Sequence, residues 1–262
     1  MNIKKTFSKN SNPLDAFLIG FLAVVIFYGL LWLLFTIGIQ QPKHRIFILL
    51  GGSWPFGLIQ TFTFLAFFWA MIMLGAKSRK QKWEANSLTL DLLPTKEHRV
   101  ILPEHVNDLR LQISQLGERK ESILAKVLER AATKFRANKS PQETMDIVKI
   151  QSEMELDLLE SSYGIIRYLA WSIPSIGFIG TVLGISGALA NADQAAAGDI
   201  SAVTTMLGTA FDTTLVALFL SIILMFQLHR TQQQEESMIF QIQDYVFENF
   251  INRIYVPKEE RS

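Results

Sequence analysis

The sequence predicts an all-α integral membrane protein with four transmembrane helices and a cytoplasmic helical bundle. Four runs of at least 23 residues contain one charged residue between them, although 19% of the chain is charged. A helix needs about 20 apolar residues to cross a hydrocarbon layer about 30 Å thick, so each run is long enough. Basic residues border the runs mainly on one side, and the segments outside them have the apolar periodicity of surface helices.

The overall composition excludes several other classes of protein. The 25 basic and 24 acidic residues leave a net charge of +1, too little for a nucleic-acid binder that depends on counterion release. The absence of cysteine excludes disulfides, thiolate metal sites and a cysteine nucleophile. The four histidines are scattered, and no Gly-rich phosphate loop or HExxH pair occurs. We therefore expect neither an enzyme nor a cofactor, and no nucleic-acid partner.

The first two spans are predicted to form an antiparallel hairpin over residues 16–76, after a cytoplasmic N-terminus at residues 1–15. Ala16–Ile39 and Ile46–Ala76 are uncharged for 24 and 31 residues, and a gap of six residues separates them. The first run is too long for the apolar part of a signal peptide and lacks a cleavage site, so we expect it to be retained. Gly51-Gly52-Ser53-Trp54-Pro55 predicts a break in the second span, because proline removes a backbone donor.

Residues 77–167 are predicted to form a cytoplasmic helical segment. Apolar residues recur at three- and four-residue steps in two stretches interrupted near Gly117, and again from Pro141 onwards. Ser140 before this proline is typical of a helix N-cap. Only Gly164 interrupts the last stretch before the third span, which predicts one long helix that enters the membrane.

The third span, Tyr168–Ala190, and the fourth, Val203–Leu228, carry the polar residues of the membrane part. The third span has no charge, and the fourth has only Asp212. Together they form a domain over residues 168–228, which includes a short periplasmic loop at residues 191–202.

The basic residues predict the orientation of the spans. Lys4, Lys5, Lys9, Lys77, Arg79, Lys80, Lys82, Arg167 and Arg230 border them on one side, against Lys43 and Arg45 on the other. The positive-inside rule therefore places both termini and the 77–167 segment in the cytoplasm. The tail at residues 229–262 continues the apolar periodicity of the fourth span, so we expect a cytoplasmic C-terminal helix that completes the bundle.

Small residues in the third span predict close helix packing. Gly180 and Gly184 form a small-xxx-small pair, with Gly177 and Gly187 about a turn to either side and Pro174 before them. Packing is the more common role of any one such glycine.

Polar side chains of the last two spans lie at one predicted depth. Thr181 is nine residues from the outer end of the third span, and Asp212 and Thr214 are nine and eleven residues into the fourth. At about 1.5 Å per residue, these positions are about 14 to 17 Å deep, near the bilayer midplane. A polar ring at that depth would suit the passage of an ion.

The polar residues of the fourth span form two stripes, because positions two apart differ by about 200° around a helix. Thr214 and Ser221 share one stripe, and Asp212 and Thr209 share the other. One stripe could line a central space while the other meets the third helix or a neighbouring subunit. An acid at mid-membrane costs about 2.5–3.5 kcal/mol on insertion scales, and it is either functional or a hydrogen-bonded packing group. The candidate ion pathway is Thr181, Thr209, Asp212, Thr213, Thr214 and Ser221.

Two stretches of the last two spans resemble the MotA/TolQ/ExbB proton-channel family. They are Ile173-Pro-Ser-Ile-Gly-Phe-Ile-Gly-Thr-Val-Leu-Gly-Ile185 and Leu207-Gly-Thr-Ala-Phe-Asp-Thr-Thr-Leu-Val-Ala-Leu218, within a likeness over roughly residues 140–230. By this resemblance, Pro174 corresponds to the proline that starts the pore-lining helix. Thr181 and Thr214 correspond to the two pore-facing hydroxyl positions of the TolQ/ExbB branch.

The sequence departs from that branch in three respects. Thr209 stands where the branch often has a glutamate, and the acid of this chain is Asp212 instead. A proline often seen further along the last span is absent. Four spans with both termini inside resemble the flagellar-stator branch, whereas TolQ and ExbB have three.

The resemblance implies an ion-conducting subunit of a motor in the bacterial inner membrane, driven by the ion-motive force. Five copies would surround two copies of a single-span partner that resembles MotB, TolR or ExbD and carries the ion-accepting Asp. Flow of H⁺ or Na⁺ would then drive rotation or other mechanical work. The alternatives are a structural membrane scaffold and a secondary transporter, although a lone acid and no inverted repeat argue against a transporter.

Overall fold

The computed structural model describes residues 13–38, 48–51, 57–88, 93, 100–102, 105–115 and 121–255. Its helices are α1 (Pro13–Gly38), α2 (Gly57–Ala85), α3 (His105–Ser114), α4 (Ile123–Asn138), α5 (Pro141–Ser162), α6 (Gly164–Ala190), α7 (Ala192–Ala196) and α8 (Ser201–Asn249), followed by a 3₁₀ turn at Ile251–Arg253. Within these ranges the one β-type pairing is an isolated bridge between Ile101 and Ile254.

Four helical stretches of the described residues are long and apolar enough to cross a membrane. They begin at Pro13, Gly57, Pro141 and Ser201, and the last two extend well beyond the length that a bilayer requires. The prediction of an all-α membrane protein with four spans is therefore confirmed. The chain is a multi-pass membrane protein.

The chain divides into two compact units, each made of two segments. The first unit is Met1–Lys77 with Gly164–Arg230, and the second is Ser78–Tyr163 with Thr231–Ser262. The first unit contains the uncharged runs of the sequence, and the second contains the segment and the tail that the sequence predicts to be cytoplasmic.

In the first unit, aromatic side chains join α1 to α2. The ring centroids of Phe17 and Trp69 lie 5.1 Å apart, and those of Phe27 and Phe64 lie 4.9 Å apart. The indole N–H of Trp69 also donates a hydrogen bond to the carbonyl of Pro13 at 3.0 Å. The residue numbers of these pairs rise on α1 as they fall on α2, so the two helices are antiparallel, as the sequence predicts.

The chain turns shortly before α2 instead of continuing as a helix. Gly51 has φ of +103°, which side-chain-bearing residues rarely adopt. The Tyr28 hydroxyl donates to the carbonyl of Leu50 at 3.2 Å, and the Gln60 amide donates to that of Leu49 at 2.6 Å. Side chains of α1 and α2 thus bond to carbonyls at this turn. Helix α2 begins at Gly57, two residues after the end of the predicted break. The last four residues of that break and the turn between the first two spans lie outside the described residues.

The predicted long helix that starts at Pro141 is present as α5 and α6, separated only by Tyr163. The N–H of Tyr163 bonds to the carbonyl of Glu160, three residues back, at 3.2 Å. Gly164, the predicted weak point, is the first residue of α6. In contrast, α8 is continuous over 49 residues from Ser201 to Asn249, so the fourth span and the tail form one helix.

The second unit packs around an apolar core of its own. The core residues come from α3, α4, α5, the end of α8 and the segments beside them: Leu93, Ile101, Val106, Leu109, Ile113, Leu124, Ala125, Val127, Leu128, Ala131, Ala132, Phe135, Val148, Met238, Ile242, Val246, Phe250 and Ile251. The Ser140 hydroxyl caps α5 by accepting from the N–H of Glu143, as predicted. The predicted interruption near Gly117 lies outside the described residues, and the cytoplasmic location of this unit stays a prediction.

Candidate functional site

The third and fourth spans pack through a face of small residues. An added Cβ at Gly184 would lie 2.5 Å from the Cβ of Ala210 and 2.9 Å from its Cα. Gly177 meets Ala217 in the same way, and Gly180 meets Thr213. The numbers of the paired residues rise on α6 as they fall on α8, so the helices are antiparallel and in close contact along three successive turns.

Pro174 and Gly187 occupy other places on α6. Pro174 lies inside the helix without ending it, although it has no N–H to donate to the carbonyl of Ala170. The carbonyl of Gly187 accepts a hydrogen bond from the Asn191 side chain at 2.7 Å, where α6 ends. Gly187 therefore serves the helix end, whereas the three glycines before it meet α8.

Thr181 and Thr214 are in direct contact across this packed face. Their hydroxyl groups form a hydrogen bond, in which either can be the donor. The Thr181 hydroxyl also lies 3.2 Å from the carbonyl of Ala210, and the Thr214 hydroxyl lies 3.0 Å from that of Gly177. Each threonine thus reaches the backbone of the opposite helix. The two residues that the sequence places at one depth form one polar cluster.

The two hydroxyl protons of this pair can be arranged in more than one way. Each hydroxyl has one proton and two acceptor lone pairs. Either Thr214 donates to Thr181 and Thr181 to Ala210, or Thr181 donates to Thr214 and Thr214 to Gly177. In a third arrangement, both protons bond to the carbonyls, and the lone pairs of both hydroxyl oxygens are left without a donor.

Three other candidate residues of the fourth span are more deeply buried in the first unit. Asp212 and Thr213 are each 1% exposed, and Thr209 is 5% exposed. The hydroxyls of Thr209 and Thr213 bond to carbonyls of their own helix at 3.0 and 2.9 Å, a common arrangement for threonine in membrane helices. Ser221 is half-buried, as Thr214 is. The predicted stripe that includes Thr214 contacts the third span through the Thr214 hydroxyl.

A fixed negative charge lies where α8 begins. The carboxylate of Asp199 accepts hydrogen bonds from the hydroxyl and the N–H of Ser201, at 2.6 and 3.0 Å. These bonds lower the pKa of Asp199 below its usual range, because they stabilise the charged form. The acid lies in the segment that joins the third and fourth spans, which also contains the short helix α7.

The helices that carry the threonine pair, α6 and α8, are similar to those of a known protein family. Residues 119–244, which include α4 to α7 and most of α8, match the model of the MotA/TolQ/ExbB proton channel family. This part of the chain, just under half of its length, is similar to that family. We call residues 119–244 the MotA/TolQ/ExbB region, and we call Gly177, Gly180 and Gly184 the glycine face. The threonine pair and the glycine face lie within this region, whereas the hairpin of α1 and α2 lies outside it. No curated protein and no solved structure matches the chain.

The MotA/TolQ/ExbB region has wide apolar faces that the single chain leaves uncovered. On α6 and α8, large apolar side chains at helical spacing are at least two fifths exposed: Trp171, Phe178, Val182, Ile185, Leu189, Phe211, Leu215, Leu218, Ile222 and Phe226. Apolar area of this extent is covered by lipid, by other copies or by a partner helix in a membrane. The half-buried Thr181 and Thr214 lie between these faces.

Sequence reasoning missed two acceptors of the site, the backbone carbonyls of Gly177 and Ala210. Every residue has a carbonyl, so its type says nothing about which of them a neighbouring helix approaches. The available signal is indirect, since a small residue lets another helix come close enough for its hydroxyl to reach the backbone.

Proposed function

We propose that this chain is the ion-conducting subunit of a membrane motor driven by the ion-motive force. Five copies surround two copies of a single-span partner of the MotB/TolR/ExbD kind, and ion flow turns the pentamer and the dimer against each other. The contact between Thr181 and Thr214 inside the MotA/TolQ/ExbB region carries the proposal. The uncovered apolar faces of α6 and α8 support an assembly with other helices. The motor lies in the bacterial inner membrane, with both termini of this chain in the cytoplasm.

The proposed role of the threonine pair is to hold an ion on its way to the Asp of the partner. When the carbonyls of Ala210 and Gly177 take the two hydroxyl protons, both threonine oxygens become ligands for a positive charge. Oxygen ligands suit a hard cation, so the pair fits Na⁺ as well as H⁺. Activity measured with sodium replaced by potassium distinguishes the two ions. The route needs no cofactor and no covalent chemistry.

Asp212 has a packing role in this proposal. The residue is buried within a single chain, next to Thr213, whose hydroxyl is engaged with the backbone of its own helix. Thr181 and Thr214 lie beside the uncovered faces instead. We infer that the acid supports the arrangement of α8 and that the ion passes along the threonine pair.

The test replaces each threonine with valine, which keeps the shape and removes the hydroxyl. We expect Thr181→Val and Thr214→Val to reduce ion flux in proteoliposomes with the partner to background. Assembly should persist, because a hydrogen bond inside a membrane contributes on average only about 0.6 kcal/mol. Thr204→Val is the matched control, since among the described residues its hydroxyl bonds to the carbonyls of Ile200 and Ser201, where α8 begins, at 3.1 and 3.0 Å.

Ion flux and native mass spectrometry together decide the outcome. Native mass spectrometry gives the number of copies in each purified complex and shows whether the variants assemble. Wild-type flux in both Thr181→Val and Thr214→Val would refute the proposed ion route. A complex that assembles but conducts no ion in its wild-type form would instead favour a structural scaffold.

A further inference from the structure

A group of buried polar side chains lies in the second unit, apart from the threonine pair. We call it the Glu84 cluster and define it as Glu84, Lys126, Gln151, Ser152 and Glu155. Its members come from the end of α2, the start of α4 and one face of α5. All belong to the second unit, beyond the uncharged run that ends at Ala76.

Glu84 meets the first turn of α4. The side chain is 2% exposed, and its carboxylate accepts a hydrogen bond from the N–H of Ile123 at 3.0 Å. Burial raises the pKa of Glu84, as does the nearby charge of Glu155, whereas the bond from Ile123 and the charges of Lys80 and Lys126 lower it. Burial is the strongest of these effects, so the protonated form of Glu84 is favoured more than in an exposed glutamate.

Glu155 is the second carboxylate of the cluster. It is 9% exposed and accepts a hydrogen bond from the Gln151 amide nitrogen at 2.9 Å. The Lys126 ammonium group lies 4.0 Å from the same carboxylate, which is longer than a direct charge-assisted hydrogen bond of about 2.7–2.9 Å. The lysine side chain is 47% exposed, so its charge is largely solvated. The ammonium therefore neutralises the two carboxylates incompletely.

The cluster holds a buried acceptor that has no donor. The Gln151 carbonyl oxygen is buried and has no hydrogen-bond partner among the described residues, and the same is true of the Ser152 hydroxyl, which can donate as well as accept. The carbonyl oxygen belongs to the amide that bonds to Glu155, so it lies within the cluster, and Ser152 shares the buried face of α5. Because a buried acceptor without a donor is costly, the Gln151 carbonyl favours the uptake of a donor.

We propose that the Glu84 cluster is a proton-binding site. One proton, taken from water, is held on a carboxyl oxygen of Glu84. It removes one of two neighbouring negative charges and supplies an O–H donor, which the buried carbonyl oxygen of Gln151 lacks. Uptake and release require no other reactant. If the chain conducts protons as proposed above, this site exchanges them in the unit that is predicted to be cytoplasmic.

The test is an infrared titration of the purified full chain in lipid nanodiscs, without partner or ion gradient. A protonated carboxyl group has a carbonyl stretching band that the carboxylate lacks. We expect a band that persists at neutral pH and is lost in Glu84→Gln. Glutamine keeps an acceptor oxygen for the N–H of Ile123, so the start of α4 stays capped. Glu153→Gln, an exposed glutamate on the same helix, is the matched control and should leave the band unchanged.

Other outcomes overturn the proposal. Asp212→Asn is measured in parallel, and a band that disappears only in that variant belongs to the membrane acid. The absence of any band at neutral pH means that Glu84 is ionised and that the cluster holds no proton. A band that sodium abolishes but potassium does not means that the cluster binds a metal cation instead. Because no ion flux is measured, these results are independent of whether the chain conducts ions.

Discussion

Gly184→Ala is expected to disrupt the threonine pair without changing either threonine. The added Cβ would lie 2.5 Å from the Cβ of Ala210, whereas carbon atoms pack at about 3.5–4.0 Å. The helices α6 and α8 must therefore separate by about 1 Å at this turn. The bond from Thr181 to the Ala210 carbonyl is already 3.2 Å long, so such a shift takes it beyond hydrogen-bond length.

The expected loss of stability is about 1–3 kcal/mol, the usual cost of forcing an extra carbon into a packed interface. Unfolding of the purified chain, followed by circular dichroism in a denaturing detergent titration, measures it, and ion flux with the partner measures the effect on the pair. Gly75→Ala is the control, because an added Cβ there has no neighbour within 4 Å. Equal stability and flux in the two variants would show that the glycine face does not hold the threonines together.

Three further predictions concern other residues. Tyr163→Phe removes a buried 2.9 Å hydrogen bond to Glu235 and should cost about 1–3 kcal/mol of stability, measured by the same unfolding titration; no loss contradicts it. Hydrogen bonding to Lys134 lowers the pKa of Glu143 from 4.5, so its contribution to stability is present above that pH and lost as pH falls through the lowered value. Glu143→Gln should therefore weaken the loss of stability in acid. Asp212→Asn should keep part of the ion flux, and complete loss would mean that the acid titrates.

The membrane part of the fold could be predicted almost entirely from the sequence. Charged side chains are excluded from hydrocarbon, so uncharged runs of sufficient length mark the spans regardless of their neighbours. The turn at Gly51 and the cap at Ser140 also depend on local chemistry, and the structure contains both. The MotA/TolQ/ExbB likeness of the last two spans, based on their small and polar residues, is confirmed by the family match.

The candidate site could be predicted only in part. Counting residues at a constant rise places Thr181 and Thr214 at one depth, because a helix has a regular pitch. Their contact depends in addition on how far α6 and α8 rotate and how closely they approach. Packing of Gly177 and Gly184 against α8 decides both, and it also selects which carbonyls accept the hydroxyl protons.

Alone, the sequence determined the number and place of the spans and the depth of their polar residues, since these follow from hydrophobicity and helix pitch within one segment. Tertiary structure decided which polar groups meet. Glu84 and Glu155 come from helices far apart in the chain, and nothing in either segment shows that the other lies beside it. Burial of two carboxyl groups in one place is a property of the packed helices, because only packing removes the water that would otherwise separate and solvate them.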